Sequence, residues 1–211
     1  VERAAPLSAE DACAQSMLDA SPAKWHLAHT TWFFETFVLG ESHSPFDASF
    51  RELFNSYYNS VGEQFSRARR GLLTRPDLDT VLCYRQAVDV AILEALGRDS
   101  FSPELRKVVE LGLHHEQQHQ ELLLTDILHL LSCNPQQPAY RDVSERGVGT
   151  PLAPLRWHRG AEGLQSLGHP GEGFCFDNEG PRHDRWLAPH EIASRLVSNG
   201  EYEAFIEDGG Y

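Results

Sequence analysis

Two histidines stand four residues apart in the segment HHEQQHQELLLTDILHLL, residues 114–131, which has the pattern of one long helix. At 100° per residue, the side chains of His115 and His119 lie within about 40° of each other, in a sector that Leu111 and Leu122 share. A bundle helix normally carries apolar side chains in such a sector. Buried imidazole nitrogens need partners, and Cβ atoms about 5–6 Å apart allow both rings to bind one ion. Core histidines bonded to neighbouring helices are the alternative.

A third histidine lies on another strongly apolar helical segment, WHLAHTTW, residues 25–32. His29 shares its helix face with aromatic side chains and is expected to point inward, whereas His26 lies about 60° away and is expected to support a ligand or stand at the bundle edge. Three inward histidines from two helices favour a metal site over three separately bonded core residues. The predicted ligands are His29, His115 and His119, and Asp126 lies on the face of the latter two, where it could orient a ligand.

Imidazole ligands suit zinc, iron, copper and nickel, so the ligand type alone does not identify the metal. Three neutral ligands would leave a divalent ion with up to three open octahedral positions and with its charge unneutralised by the protein. Such a site favours binding of an anionic ligand such as a thiolate.

The same residues also spell HExxH, the pattern of zinc peptidases in which the glutamate is the general base. The longer metzincin pattern requires Gly at 122 and His at 125, where this sequence has Leu122 and Thr125. Glu116 lies about 100° around the helix from His115, which points it away from a bundle interior. These departures disfavour a peptidase.

The elements that must position these residues are predicted to be four helices of an antiparallel bundle. Their approximate limits are 22–39, 50–70, 76–96 and 103–132, with residues 8–18 as the stub of a further helix. Ser21-Pro22 and Ser102-Pro103 each combine an N-cap serine with proline at the first helical position, and Gly40 and Gly97 are typical helix ends.

A turn-rich sequence follows from about Asn134, so a domain boundary is expected near 134–150, with domains at 1–135 and 136–211. WHRGAEGLQSLG and GFCFDNEG are segments that could hold short strands, and Ser198 to Glu201 form a capping box before a short helix. The predicted fold is therefore mainly α, a helical bundle followed by an α+β region. We expect this second domain to be incomplete, since a tail of about 80 residues with few apolar segments offers little apolar surface for an independent hydrophobic core.

The composition of the 211 residues is that of a soluble protein, with 41% hydrophobic residues and a net charge of −13. That charge argues against nucleic-acid and anionic membrane partners, and no segment reaches the roughly 18 apolar residues of a membrane span. The four cysteines (Cys13, Cys83, Cys133 and Cys175) form no CxxC pair, which fits a reducing cytoplasm. The oligomeric state stays open.

Three segments, SPAKWHLAHTTWFFETFVLG, LFNSYYNSVGEQFSRARRGLL and GLHHEQQHQELLLTDI, together resemble the DinB-like four-helix bundle of the sulfoxide synthases of ergothioneine biosynthesis. The element His115-x-x-x-His119-x-Glu121, combined with the LAH helix, is more specific than either part. The segment from GFCFDNEGP to the end resembles the opening of their second domain, which has the formylglycine-generating-enzyme (sulfatase-modifying-factor) fold. The resemblance covers most of the chain in the family's order.

The resemblance implies a mononuclear non-haem Fe(II) enzyme that uses O2 to join a cysteine-type thiol, cysteine or γ-glutamylcysteine, to C2 of the hercynine imidazole as a sulfoxide. His29, His115 and His119 would be the iron ligands. Gln118 would hydrogen-bond the hercynine imidazole, and Arg67 and Arg70 would hold carboxylates of the thiol donor. Arginines also stand at 69 and 75, and a solvated basic loop is the alternative for this run.

In this family, the residues that close the site come later in the second domain. Catalytic residues are therefore expected beyond Tyr211, and we expect weak or no sulfoxide synthase activity from these residues alone. Three alternatives remain: an ovothiol-pathway sulfoxide synthase that acts on histidine, a DinB-type thiol transferase or hydrolase with zinc or nickel, and a non-enzymatic bundle.

Overall fold

The computed structural model describes residues 1–40, 43–98, 101–141 and 152–210. The chain divides into two compact units, Val1–Ser144 and Glu145–Tyr211. The helices are α1 (Ala9–Cys13), α2 (Ala23–Phe34), α3 (Phe50–Leu53), α4 (Leu78–Gly97), α5 (Pro103–Ser132) and α6 (Asn199–Glu207). The strands are β1 (Trp157–Arg159), β2 (Gly163–Leu167), β3 (His183–Leu187) and β4 (Glu191–Ala193). The chain is thus mainly α with a smaller β region, as predicted.

Helix α2 is the centre of the first unit, because it packs against α1, α4 and α5 and every one of its residues is buried. A helix that is buried all round must satisfy each polar side chain within the protein. Lys24, for example, donates from Nζ to the carbonyls of Leu73 at 2.8 Å and Pro76 at 2.7 Å. The helix continues as a π-helical turn, Glu35–Leu39, and ends as predicted at Gly40, whose φ of 59° favours glycine.

The long helices α4 and α5 flank α2. Helix α5 begins after the predicted N-cap Ser102, and α4 begins close to its predicted start at residue 76. Asp77 accepts from the backbone N–H of Thr80 at the start of α4, and Ser102 accepts from that of Leu105 at the start of α5. The prediction for α2 was wrong by one residue, because its helix begins at Ala23. An aromatic-rich core lies between these helices, and its largest fully buried members include Trp32, Phe54 and Tyr84. A smaller cluster contains Ala12, Ala23, Leu123 and Ile127.

The predicted helix at 50–70 is wrong: α3 has four residues, and a 3₁₀ turn follows only at Arg67–Leu72. The buried side chain of Asn55 explains the difference. Its amide donates to the carbonyls of Tyr58, Gly62 and Glu63, each at 3.2 Å, and its Oδ1 accepts from the N–H of Tyr58. Such bonds offer the backbone an alternative to helical pairing. Of the four long helices expected, the described residues form three, with 12, 20 and 30 residues.

The stub expected at residues 8–18 is shorter than predicted, since α1 ends at Cys13. It starts with a capping box, in which the hydroxyl of Ser8 accepts from the N–H of Asp11 at 3.1 Å and the Asp11 carboxylate accepts from the N–H of Ser8 at 3.0 Å.

The second unit contains two small antiparallel sheets, in which β1 pairs with β4 and β2 pairs with β3. The strands expected in WHRGAEGLQSLG are confirmed, but the strand considered in GFCFDNEG is wrong. A 3₁₀ turn, Asp177–Glu179, lies there, and Glu179 accepts from the N–H of Phe176 at 2.7 Å. The capping box at Ser198 before α6 is confirmed. None of the described residues of this unit is buried.

The domain limits at 135 and 136, the DinB-like bundle and the identity of the second domain stay predictions. Within the ranges that the structure describes, none of the helices combines the length and the hydropathy needed to cross a lipid bilayer.

We expect Asn55→Ala to lower the free energy of unfolding by about 2–3 kcal/mol, because it removes the amide that three loop carbonyls share. Urea denaturation followed by circular dichroism measures this change. Asn59→Ala is the matched control, since the Asn59 side chain is exposed and accepts only from Gln64 among the described residues. Equal losses in the two variants would contradict the organising role of Asn55.

Candidate metal centre

Three imidazoles from two helices converge inside the first unit. His29 comes from α2, and His115 and His119 come from α5. One nitrogen of each ring is within 4.8 Å of the corresponding nitrogens of the other two. The ring centroids lie 4.7 Å apart for His29 and His119, 4.9 Å for His29 and His115, and 4.5 Å for His115 and His119. The structure therefore brings together the three side chains predicted as metal ligands.

A glycine on α5 allows α2 to approach this closely. Gly112 lies one turn before His115, and a Cβ at that position would stand 2.8 Å from ring carbons of Phe34 and 3.0 Å from Phe33. Real Cβ contacts essentially never come so close, so a larger residue would push the aromatic side chains of α2 away from α5.

His29 is held in a fixed ring orientation. Its Nδ1 lies 2.6 Å from the carbonyl oxygen of Phe54, which can only accept, so Nδ1 carries the proton and Nε2 is left with a free lone pair. The ring stacks between Trp25, at 4.5 Å and 12°, and Trp32, at 5.6 Å and 14°. This imidazole offers Nε2 as its ligand atom.

His119 is supported by two further side chains. Its Nδ1 lies 2.9 Å from Nδ1 of His26, and Nε2 of His26 lies 3.0 Å from Oδ2 of Asp126. The same carboxylate oxygen accepts from the backbone N–H of Ser21 at 2.8 Å. His26 is thus buried behind a predicted ligand rather than at the bundle edge.

His115 completes the cluster and is its least supported member. Its Nε2 lies 3.2 Å from Nε2 of His29, and its buried Nδ1 has no hydrogen-bond partner among the described residues. Two nitrogens about 2.1 Å from one ion, at angles of about 90–110°, stand roughly 3.0–3.4 Å apart. The His29–His115 separation fits a shared ion, and the ligand atoms of all three residues lie within 4.8 Å of one another. The donor set of three imidazoles fits a borderline transition metal.

The three imidazoles are neutral near pH 7. Burial lowers the pKa of His29 to about 3 and that of His115 to about 4. The pKa of His119 is also lowered, first by burial and then by the neighbouring imidazoles of His29 and His26. Neutral rings keep the lone pairs that a metal ion requires.

The glutamate of the HExxH pattern is engaged elsewhere. An oxygen of Glu116 lies 2.9 Å from Nη1 of Arg85 on α4, and the same Nη1 is 3.3 Å from Oγ1 of Thr30 on α2. Each side chain of the ion pair is 18% exposed. Both line a cavity of about 420 Å³ that also borders His119. A carboxylate paired with a guanidinium is a poor general base, and this geometry further disfavours a peptidase.

Of the predicted substrate-binding residues, Arg70 contacts a side chain that stacks on His29. It is buried, it donates to Oγ of Ser21 at 2.9 Å and of Ser56 at 3.1 Å, and its guanidinium carbon lies 3.3 Å from the centre of the Trp25 ring. Trp25 in turn stacks on His29. The positive charge of Arg70 contributes to the lowered pKa values of His29 and His119.

Arg67 and Gln118 are both exposed. Arg67 donates to the backbone carbonyl of Asp19, and its Nη1 lies 3.5 Å from the hydroxyl oxygen of Tyr57. Gln118 precedes His119 on α5, at about 60° around the helix from His115. The substrate-binding roles of Arg67, Arg70 and Gln118 stay predictions.

Sequence reasoning missed two supports of the site. The carbonyl of Phe54 that orients His29 is a backbone group, which leaves no signature in the sequence. The contact between Ser21 and Asp126 joins residues 105 positions apart, and helical periodicity cannot reveal it. The stacking of Trp25 on His29 had a signal, because both belong to one face of the predicted helix.

No family model matches the chain. A curated relative from Mycolicibacterium thermoresistibile, named hercynine oxygenase, is 31% identical over 207 residues. The match covers 90% of this chain and 42% of the relative, so the chain spans about two-fifths of that protein's length. The chain is therefore a distant homologue of a protein named as an oxygenase, which agrees in part with the resemblance drawn from the sequence.

We expect the metal-free chain to lose stability as the pH falls from 7.5 to 5. A histidine whose folded pKa lies below its unfolded value of about 6.5 stabilises the fold above that value, and this contribution is lost on acidification. His115, with a folded pKa of about 4, accounts for about 2 kcal/mol of the loss at pH 5. Urea titrations at several pH values measure it. His115→Gln should show a flatter dependence over the same range, and an unchanged slope in that variant would contradict the assignment.

Proposed function

We propose that this chain carries the metal site of a non-haem Fe(II)- and O2-dependent sulfoxide synthase, which joins a cysteine-type thiol to C2 of the hercynine imidazole. The proposal is supported above all by the convergence of His29, His115 and His119 in a chain that is homologous to a protein named hercynine oxygenase. It makes the chain part of an oxidoreductase of ergothioneine biosynthesis, with hercynine, cysteine or γ-glutamylcysteine and O2 as substrates.

The three histidines would hold Fe(II), which when bound supplies the O2 activation and redox chemistry that side chains cannot provide. The contribution of the protein is the fixed arrangement of three neutral donors. Because none of them is anionic, the site retains the full charge of the ion and favours a thiolate as a further ligand. The stacking of His29 between two tryptophans excludes water from one side of the cluster.

Arg70 is the residue best placed to attract the carboxylate of a thiol donor. Its Nη atoms are held by Ser21 and Ser56, and its buried Nε has no partner among the described residues. Burial lowers its pKa to about 10, so that it is still charged at pH 7. In the proposal, the exposed Arg67 would add a second positive charge nearby, and Gln118 would donate to the hercynine imidazole.

The ligand set also suits zinc or nickel, so a DinB-type thiol transferase or hydrolase shares this geometry. An ovothiol-pathway sulfoxide synthase would use the same site with histidine as the acceptor. The homologue named hercynine oxygenase favours the iron enzyme that acts on hercynine.

We expect the chain, purified without oxygen, to bind about one equivalent of Fe(II), with an absorption spectrum that shifts on adding cysteine or γ-glutamylcysteine because the thiolate enters an open position. His119→Ala should weaken Fe(II) binding by more than about 100-fold and abolish the shift. His114→Ala is the matched control, since it removes the neighbouring imidazole outside the cluster, and it should bind Fe(II) like the parent chain.

Two results would contradict the proposal. The first is a chain that binds Fe(II) but whose absorption spectrum does not change when either thiol is added, which favours the transferase. The second is equal Fe(II) binding by His119→Ala and by the parent chain, which would place the iron elsewhere.

A further inference from the structure

A chain of hydrogen bonds runs from the start of α2 to the candidate metal centre. The backbone N–H of Ser21 donates to Oδ2 of Asp126 at 2.8 Å, and the same oxygen lies 3.0 Å from Nε2 of His26. Nδ1 of His26 then lies 2.9 Å from Nδ1 of His119. His26 is 4% exposed and Asp126 is 14% exposed, so water competes little for these bonds.

The chemistry of Asp126, His26 and His119 determines which group donates and which accepts in each hydrogen bond. An ionised carboxylate only accepts, so Asp126 takes the proton of His26 Nε2 into a hydrogen bond. A neutral His26 then carries no proton on Nδ1, which must accept from Nδ1–H of His119. The proton of His119 is thereby held on Nδ1, and its Nε2 keeps a free lone pair.

We propose that His26 and Asp126 are positioning residues that set the tautomer of His119, so that Nε2 is the atom presented to the metal. The inference rests on the proposed function in one respect, namely that the three-histidine cluster holds a metal ion. It assigns to the buried His26 and the half-buried Asp126 a task that the backbone carbonyl of Phe54 performs for His29. Partners of this kind raise the metal affinity of histidine ligands in general.

The same series of hydrogen bonds connects the candidate metal centre with Arg70. Ser21 donates from its backbone to Asp126, and its hydroxyl accepts from Nη1 of Arg70 at 2.9 Å. Ser21, two residues before α2, therefore holds both the carboxylate that orients His26 and the guanidinium that we propose binds the thiol donor.

The tautomer can be measured directly in the metal-free chain. Long-range ¹H–¹⁵N correlation spectra of the protein labelled at histidine, recorded at about pH 8, show which ring nitrogen carries the proton. In the parent chain, His119 should be protonated at Nδ1. In His26→Phe the acceptor is lost, so the single Nδ1–H form should disappear and Fe(II) binding should weaken by about 10–100-fold.

His129→Phe is the matched control, because it makes the same substitution at a histidine of α5 whose Nδ1 lies 2.7 Å from the hydroxyl of Ser16 outside the cluster. It should leave both the His119 tautomer and the metal affinity unchanged. Asp126→Leu retains His26 but removes its acceptor, and it should also mix the tautomers of His119. This variant and the parent spectrum decide the question even where His26→Phe does not fold.

A parent chain with His119 protonated at Nε2 would overturn the inference, as would a His26→Phe chain that keeps the Nδ1–H form and the parent affinity. Failure of the proposed function has a different signature. In that case the parent chain would bind no Fe(II), while the tautomer of His119 would still change in His26→Phe.

Discussion

The complete burial of α2 is the constraint on which the rest of the structure depends. The polar side chains of a helix with no exposed face cannot form hydrogen bonds with water. His26 and His29 must therefore have hydrogen-bond partners inside the protein. Burial also keeps their imidazoles neutral, by lowering their pKa values. A neutral ring that donates one N–H has a lone pair on its second nitrogen. These lone pairs can accept a hydrogen bond or bind a metal ion.

The partners of these rings come from different parts of the first unit. The loop after α3 supplies a carbonyl, α5 supplies Asp126 and two further histidines, and the 3₁₀ turn supplies Arg70. Positioning the candidate site therefore requires the irregular segment between α3 and α4 as well as the long helices. The aromatic residues of α2 and Gly112 of α5 set how closely the two helices approach.

The sequence was sufficient to predict what local chemistry determines. Capping residues located the starts of α5 and α6, and helical periodicity placed His29, His115 and His119 on inward faces. The helix predicted at 50–70 failed because the buried amide of Asn55 binds three carbonyls, a tertiary effect that no periodic pattern reveals. The support of His119 by His26 was only partly visible, since the contact depends on the crossing of α2 and α5. The assignment of Gln118, Arg67 and Arg70 to substrates rests on the family resemblance, because helical periodicity does not indicate which ligand a polar side chain binds.

The central claim is that the imidazoles of His29, His115 and His119 bind one iron ion together. X-ray absorption at the iron edge, recorded on the anaerobic Fe(II)-loaded chain, tests it most directly, because scattering from imidazole rings is distinct from that of carboxylates or water. The account predicts three imidazole nitrogens at about 2.1 Å, and one fewer ring in His29→Ala. A spectrum with fewer than three imidazoles, or one that His29→Ala leaves unchanged, would contradict it.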